Sequence, residues 1–319
     1  MLVGRKWYLT LTSFAGVLVC IYWFYIYREG EPVVSKDRHH VTSENKETQD
    51  ISHKNINHTS ATTVHEYHNR FQEIKESGMH LITNYPMMTE SPWIEAQSET
   101  KKSRLWERQL EIEEVLQRNL NNTLVTAVHL LVNQPSAEQR LRELSFHNKH
   151  KIVVRRIEAL PKYKDFFVYV NEKLLHRLVV MLNMDIYIGE GFELLNRTFF
   201  VRNNISYTLT RNLRQERRCD MSGQFGYCKR GFGASLDTYV FVLTRRVNES
   251  ELSELDYEAN AIRAENRLVW VFRHRLNKKL LNPCLILKTY HSHCVKIRGR
   301  VRPRVEGNLE TVRMSGLYN

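Results

Sequence analysis

"LVTAVHLLVNQPSAEQRLRELSF", residues 124–146, reads as an apolar strand running into a helix. The stretch 124–132 is a short, mostly apolar run, which suits a buried strand. Ser136 followed three residues later by Gln139 carries the signature of a capping box that opens a helix. The alternation repeats downstream. "KIVVRRI" (151–157) is a second strand, "YKDFFVYVNEKLLHR" (163–177) a helix, and "LVVMLNMDIYI" (178–188) a third strand. A β-α-β-α-β order predicts an α/β fold with a mostly parallel central sheet and right-handed crossovers. Further on, "ISYTLT" (205–210), "DTYVFVL" (237–243) and "LNPCLIL" (281–287) read as strands, and "ANAIRAENRLVWVFRHRL" (259–276) as a helix. Upstream, "KKSRLWERQLEIEEVLQRNL" (101–120) spaces Leu105, Leu110, Ile112, Val115 and Leu116 as an amphipathic helix with opposite charges interleaved.

The third strand changes character along its length. Leu178–Leu182 is apolar throughout, and then Asn183, Asp185 and Tyr187 alternate with Met184, Ile186 and Ile188. Ligands of open parallel sheets sit beyond the carboxyl ends of the strands. A carboxylate there can hold a hard cation together with substrate phosphates. The plainer alternative is that Asp185 caps the turn before Gly189 and Gly191.

The remaining signals concern the compartment. Residues 7–27 carry no charge and match the length of a bilayer-spanning helix. Arg5 and Lys6 precede them, and no A-x-A cleavage pattern follows. This predicts a retained signal anchor, a cytoplasmic tail at 1–6 and a type II topology. Residues 28–100 have little apolar content in most of their length and read as a stem, leaving 101–319 as the globular domain. Five N-x-[ST] sequons, at Asn57, Asn121, Asn196, Asn204 and Asn248, follow the anchor and none precedes it. They suit a lumenal body. Cys20 lies in the anchor, which leaves Cys219, Cys228, Cys284 and Cys294. Those cysteines allow three connectivities; cheap closure of short loops favours Cys219–Cys228 and Cys284–Cys294. A zinc set joining them to His291 and His293 has poor ligand spacing. The net charge of +12 would point to nucleic acid in a cytosolic chain. Behind a membrane it leaves anionic lumenal targets, such as nucleotide diphosphates or acidic glycans, and no nucleic acid.

The anchor, the stem and the acidic strand end resemble a Golgi glycosyltransferase of the GT-A fold. Residues from about 105 to 300 resemble more closely a largely uncharacterised glycosyltransferase-like group, through "NMDIYIGEGF", "YTLTR", "C…YC…GASLDTYVFVL", "AENRLVWVF" and "NPCLILKTYHSHC". The resemblance implies a nucleotide-sugar donor, a glycan or glycoprotein acceptor, and a divalent metal such as Mn²⁺. It implies Asp185 of "DIY" as metal and donor-diphosphate ligand, Glu265 of "AEN" as base, and His291 or His293 of "HSH" completing the metal shell. "DIY" has a single carboxylate, and "AEN" carries Asn266 where an acid is common in the family. Asn183 and Tyr187 would contact the donor. Arg211 would offset diphosphate charge, or form a surface ion pair. Asp237 would orient sugar or acceptor, or cap a strand. Glu265 would take a proton, or sit solvated near Arg263 and Arg267. A domain of this kind that has lost catalysis and only binds glycan or a partner enzyme is the second expectation. The sequence has no G-x-x-x-x-G-K-[ST], G-x-G-x-x-G or G-x-S-x-G stretch, which argues against P-loop, Rossmann and serine-hydrolase chemistry. A sulfotransferase would need a phosphate-binding turn after its first strand, and "VNQPSAEQ" is a poor one.

Overall fold

The computed structural model describes residues 78–90, 98–213, 227–229, 235–295, 297 and 303–318. All of them belong to one compact unit, Asn55–Asn319. The expected anchor, most of the stem, Asn57 and Cys219 lie outside the described residues. Among the described residues no helix is long and apolar enough to cross a membrane.

The described residues open with β1 (Met79–Asn84), α1 (Glu99–Asn121), β2 (Val125–Val132), α2 (Pro135–Glu143) and β3 (Ile152–Arg156). Next come α3 (Tyr163–Lys173), β4 (Leu178–Leu182), β5 (Ile186–Ile188), α4 (Arg197–Asn203), β6 (Ile205–Thr210) and β7 (Asn212–Leu213). The last part holds β8 (Leu236–Phe241), α5 (Glu249–Ser253), α6 (Ala264–His274), β9 (Lys279–Leu281) and β10 (Thr289–His291). Among the described residues the main sheet has seven strands in the order β3-β2-β1-β4-β8-β6-β9, and a small sheet has the order β5-β10-β7. β8 runs against its neighbours in the main sheet, pairing antiparallel with β4 and β6. The fold is therefore α/β with a mostly parallel central sheet.

Side-chain alternation divides the core into two layers. Leu178, Val180 and Leu182 enter one apolar cluster together with Leu105, Ile112 and Leu116 of α1. Val179 and Met181 enter the other, with Phe167 of α3 and Phe272 of α6.

Several expectations need correction. The folded domain does not start at residue 101. β1, "MHLITN", lies between β2 and β4, parallel to both, with Met79, Leu81 and Ile82 fully buried. A six-residue strand behind a long polar stretch leaves only a faint mark on composition. The 178–188 strand is broken: Asn183–Asp185 form a turn, closed by Ile186 N–H donating to the Asn183 carbonyl at 3.0 Å. α2 starts at Pro135 after Gln134, with no side-chain cap, because proline suits the first helical position. Ser136 instead donates to Glu90 Oε2 at 2.6 Å. The helix expected from 259 starts only at Ala264, after Arg263 with φ 69°. In "LNPCLIL" only Leu281 is strand. Pro283 begins a turn, its carbonyl accepting from Ile286 and Leu287 N–H, each at 2.9 Å.

The cysteine pairing also differs. Cys228 is bonded to Cys284 across a separation of 56 residues, which excludes both local pairs; Cys294 is itself in a disulfide. The longer loop costs only roughly 1.6 kcal/mol more to close than the local one. Native packing outweighs that. Cys228 N–H donates to the Arg211 carbonyl at 2.8 Å, and Asn212 Nδ2 donates to the Cys284 carbonyl at 3.2 Å, so β7 brings the pair together. Four sequon asparagines are described. Asn196 and Asn248 cap α4 and α5, Asn121 ends α1, and Asn204 donates to the Asn277 carbonyl at 2.5 Å.

Candidate metal centre

The strand directions gather the polar residues at one edge. β4 and β6 end where β8 begins, so Asn183, Arg211 and Asp237 emerge together. β5 then leaves the main sheet, and β10 returns antiparallel to it, with His291 opposite Ile186. Two glycines permit that close return. A side chain at Gly189 would collide with the Tyr290 ring, and one at Gly191 (φ +91°) with the Ile286 carbonyl. Ser292 N–H donates to the Asp185 carbonyl at 2.9 Å and locks the returning segment to the turn.

This places Asp185, His291 and His293 together, with one ligand atom from each lying within 4.8 Å of the others. His291 Nε2 is 3.1 Å from Asp185 Oδ2, and His293 Nδ1 is 3.6 Å from the same oxygen. Burial by itself would raise the Asp185 carboxyl, but the charges of His291 and Arg108 beside it hold it well below the usual carboxylate range. Burial, reinforced by the Arg108 charge, lowers His293 to about 4. At neutral pH His293 is uncharged and has a lone pair to give. Two imidazoles and one carboxylate suit manganese, zinc or iron better than magnesium or calcium, which prefer all-oxygen shells. The residues fit a transition-metal ion.

Helix α1 builds the floor of this site, and the sequence reading missed it. Arg108 Nη2 contacts Asp185 Oδ2, while Nη1 donates to Glu111 Oε2 and to the Ser292 carbonyl, both at 2.7 Å. Glu111 Oε1 in turn accepts from Cys294 and Val295 N–H at 2.9 and 3.2 Å. Asn119 brackets β5, donating to the Ile186 carbonyl and accepting from Ile188 N–H, each at 3.0 Å. Arg108, Glu111 and Asn119 are all buried. A signal existed. Positions 108, 109 and 119 lie at helical spacing from Leu105, Ile112, Leu116 and Leu120, so polar groups interrupt the apolar face itself.

A second cluster stands beside the first. Asp237 Oδ1 accepts from Asn183 Nδ2 at 2.8 Å, and Asp237 Oδ2 pairs with Arg211 at 3.2 Å. Burial, together with the Glu265 charge, raises the Asp237 carboxyl well above its ordinary range. Glu265, in the first turn of α6, is half-buried and accepts the Leu236 N–H at 3.0 Å. It is not the solvated surface residue of the plainer expectation. Arg211 Nε and Ser292 Oγ are buried without a hydrogen-bond partner, an unusual condition that a ligand would relieve. Tyr187 is elsewhere. It opposes Tyr290, one residue out of step with His291, so it faces the other side of the small sheet, stacked on Tyr290 with Arg118 over its ring. That placement corrects the expectation of one shared face with Asp185, which assumed an unbroken strand.

No family model matches the chain, and no curated protein matches it. Among solved structures it is similar to 4-diphosphocytidyl-2C-methyl-D-erythritol synthase from Anaerococcus prevotii, at 6% identity and TM-score 0.34, over 70% of this chain and 92% of that one. It is similar to a CMP:2-keto-3-deoxy-manno-octonic acid synthetase complexed with CTP, at 11% identity and TM-score 0.34, over 65% and 89%. It is also similar to a UDP-glucose pyrophosphorylase complexed with UDP-glucose, at 7% identity and TM-score 0.33, over 70% and 91%. Likenesses at this level establish neither a common family nor a shared substrate.

Proposed function

We propose that this chain is a Golgi glycosyltransferase of GT-A type, anchored as a type II membrane protein. It would move a sugar from a nucleotide-sugar donor to a glycan or glycoprotein acceptor in the lumen. The observation that carries this reading is the meeting of Asp185, His291 and His293 at the carboxyl edge of the sheet, next to the Asp237 and Glu265 carboxyls. In this reading Asp185, His291 and His293 hold Mn²⁺. A divalent cation supplies charge neutralisation of the departing diphosphate. Arg211, with a buried unpaired Nε, gives a further donor to a phosphate oxygen. Asp237 orients the sugar or acceptor, and Glu265 would take the proton of the acceptor hydroxyl as its oxygen bonds to the sugar and the diphosphate leaves, if the reaction inverts configuration. Asn183 fixes Asp237 and in this reading contacts the donor beside it.

Arg108 at Asp185 favours a second reading, in which the domain has lost catalysis and binds glycan or a partner enzyme. One experiment separates the two. Purified chain is offered a panel of nucleotide sugars with Mn²⁺ or with chelator, and both donor binding and release of nucleoside diphosphate are followed. Binding with Mn²⁺-dependent release supports the transferase. Binding without release in any condition supports the second reading. Absence of binding to every nucleotide sugar removes the transferase.

A further inference from the structure

We propose that Arg108 is the resident counter-charge of Asp185, and that a divalent cation binds only by displacing its guanidinium from Oδ2. The inference rests on the metal reading above and adds the group that sets metal affinity. Three nitrogens converge on a single carboxylate oxygen. Arg108 Nη2 contacts Asp185 Oδ2, with His291 Nε2 at 3.1 Å and His293 Nδ1 at 3.6 Å from the same atom. A cation held between the imidazoles and Asp185 would lie next to a permanently charged guanidinium in a buried setting, where repulsion is screened little.

The surroundings let Arg108 yield without being stranded. Its Nη1 holds Glu111 Oε2 and the Ser292 carbonyl, each at 2.7 Å, partners separate from Asp185. Glu111 is therefore an alternative carboxylate for the same guanidinium. The Cys294 and Val295 N–H groups fix it in place at its other oxygen. Ion and guanidinium thus compete for Asp185, and Glu111 sets the balance. Arg108 is a positioning residue. It keeps the cluster near neutrality when no ion is bound, and it remains beside the anionic donor as a second cation when one is.

The test measures Mn²⁺ affinity by electron paramagnetic resonance on the full chain and on three variants, with circular dichroism as the check of fold. Arg108→Met should tighten Mn²⁺ binding by about tenfold or more, because the repulsion is gone. Arg108→Lys, which keeps the charge, should stay within about threefold of the parent. Glu111→Gln keeps an oxygen for the Cys294 and Val295 N–H groups but removes the alternative anion. It should therefore weaken Mn²⁺ binding by about tenfold. A merely structural role would move Arg108→Met and Glu111→Gln in the same direction. Equal affinity in all four proteins, or weakening in both variants, overturns the competition while leaving the metal site standing. If Arg108→Met does not fold, the Lys and Gln variants decide, and an unweakened Glu111→Gln refutes the proposal. No Mn²⁺ binding in any of the four defeats the metal reading and this proposal with it.

Discussion

Asp185 carries one carboxylate and three suitors, and that arrangement makes its substitution informative. Asp185→Asn preserves shape and the turn, whose closing bonds are main-chain, but removes the charge that draws Arg108 and the imidazoles together. Loss of an outer-shell partner typically costs roughly 10–100-fold in metal affinity. Loss of the ligand itself should cost more, so Mn²⁺ titration of a folded Asp185→Asn chain is expected to show almost no binding. Unchanged affinity would exclude Asp185 as a ligand. Asp237 gives a prediction of opposite electrostatic sign. Its carboxyl is raised in the fold by burial, then by Glu265, so the folded chain holds this proton more tightly than the unfolded chain. That contribution is full below the ordinary carboxyl value of about 4 and is lost as pH rises through the folded value. Asp237→Asn can still accept from Asn183, and it has no proton to lose. Its urea midpoint should gain on the parent's steadily from pH 5 to pH 8; parallel curves would mean that Asp237 is ionised throughout. The two histidines were legible in the sequence because "HSH" is conspicuous. Arg108 was not, because a charge on an amphipathic helix is ordinarily read as solvated.

The α/β alternation from β2 to β4 could be read because each of those elements has its own apolar period. β1 could not. Its six residues follow a long polar stretch, and they are held by pairing with two strands distant in sequence. The break between β4 and β5 was hidden for a related reason: Asn183–Asp185 continue the alternation by composition, while Asn183 N–H turns to the Asp237 carbonyl at 3.1 Å. The position of β1 bears directly on where the domain can be cut. A chain starting at residue 101 lacks the strand between β2 and β4 and leaves both with open edges. It should be insoluble or unfolded, whereas one starting at Asn55 should give a sharp thermal transition; a folded chain from 101 would contradict this placement. β1 also contributes His80, whose Nδ1 lies 3.0 Å from His129 Nε2 on β2, and His129 Nδ1 lies 2.8 Å from the Tyr169 hydroxyl on α3. Burial, then the neighbouring His80, lowers His129 to about 4. A histidine lowered in the fold contributes stability above its ordinary value of about 6.5 and loses it as pH falls towards the folded value. Between pH 7 and pH 5 the parent should lose about 2 kcal/mol through this residue alone. His129→Gln should lose correspondingly less across the same interval, as urea denaturation at the two pH values would reveal. An identical loss in both chains would show that His129 titrates normally.

At the scale of the molecule, the small sheet is where distant parts of the chain are tied together. β5 follows β4, β7 follows β6 and β10 follows the Cys284 turn, so the site exists only when all three have docked. The Cys228–Cys284 disulfide ties that arrangement covalently. It links the segment hydrogen-bonded to Arg211 with the turn that feeds β10 and its histidines. The sequence could not reveal this pairing, because local loop entropy ranks the shorter loops first, whereas the docking of β7 on β10 decides the outcome. A crosslink spanning 56 residues is expected to stabilise the folded chain by about 4 kcal/mol through its effect on the unfolded one. Cys228→Ser and Cys284→Ser should therefore each lower the unfolding free energy by up to about that amount, and the double variant should be no worse than either single one. Arg211 is joined to Cys228 by a main-chain bond, and His291 lies only a short way beyond Cys284, so the same variants should also weaken Mn²⁺ and donor binding. Unreduced peptide mapping provides the direct check. Recovery of Cys228 joined to Cys284 supports the docking described here, and recovery of Cys284 joined to Cys294 would require β10 and its histidines to sit elsewhere.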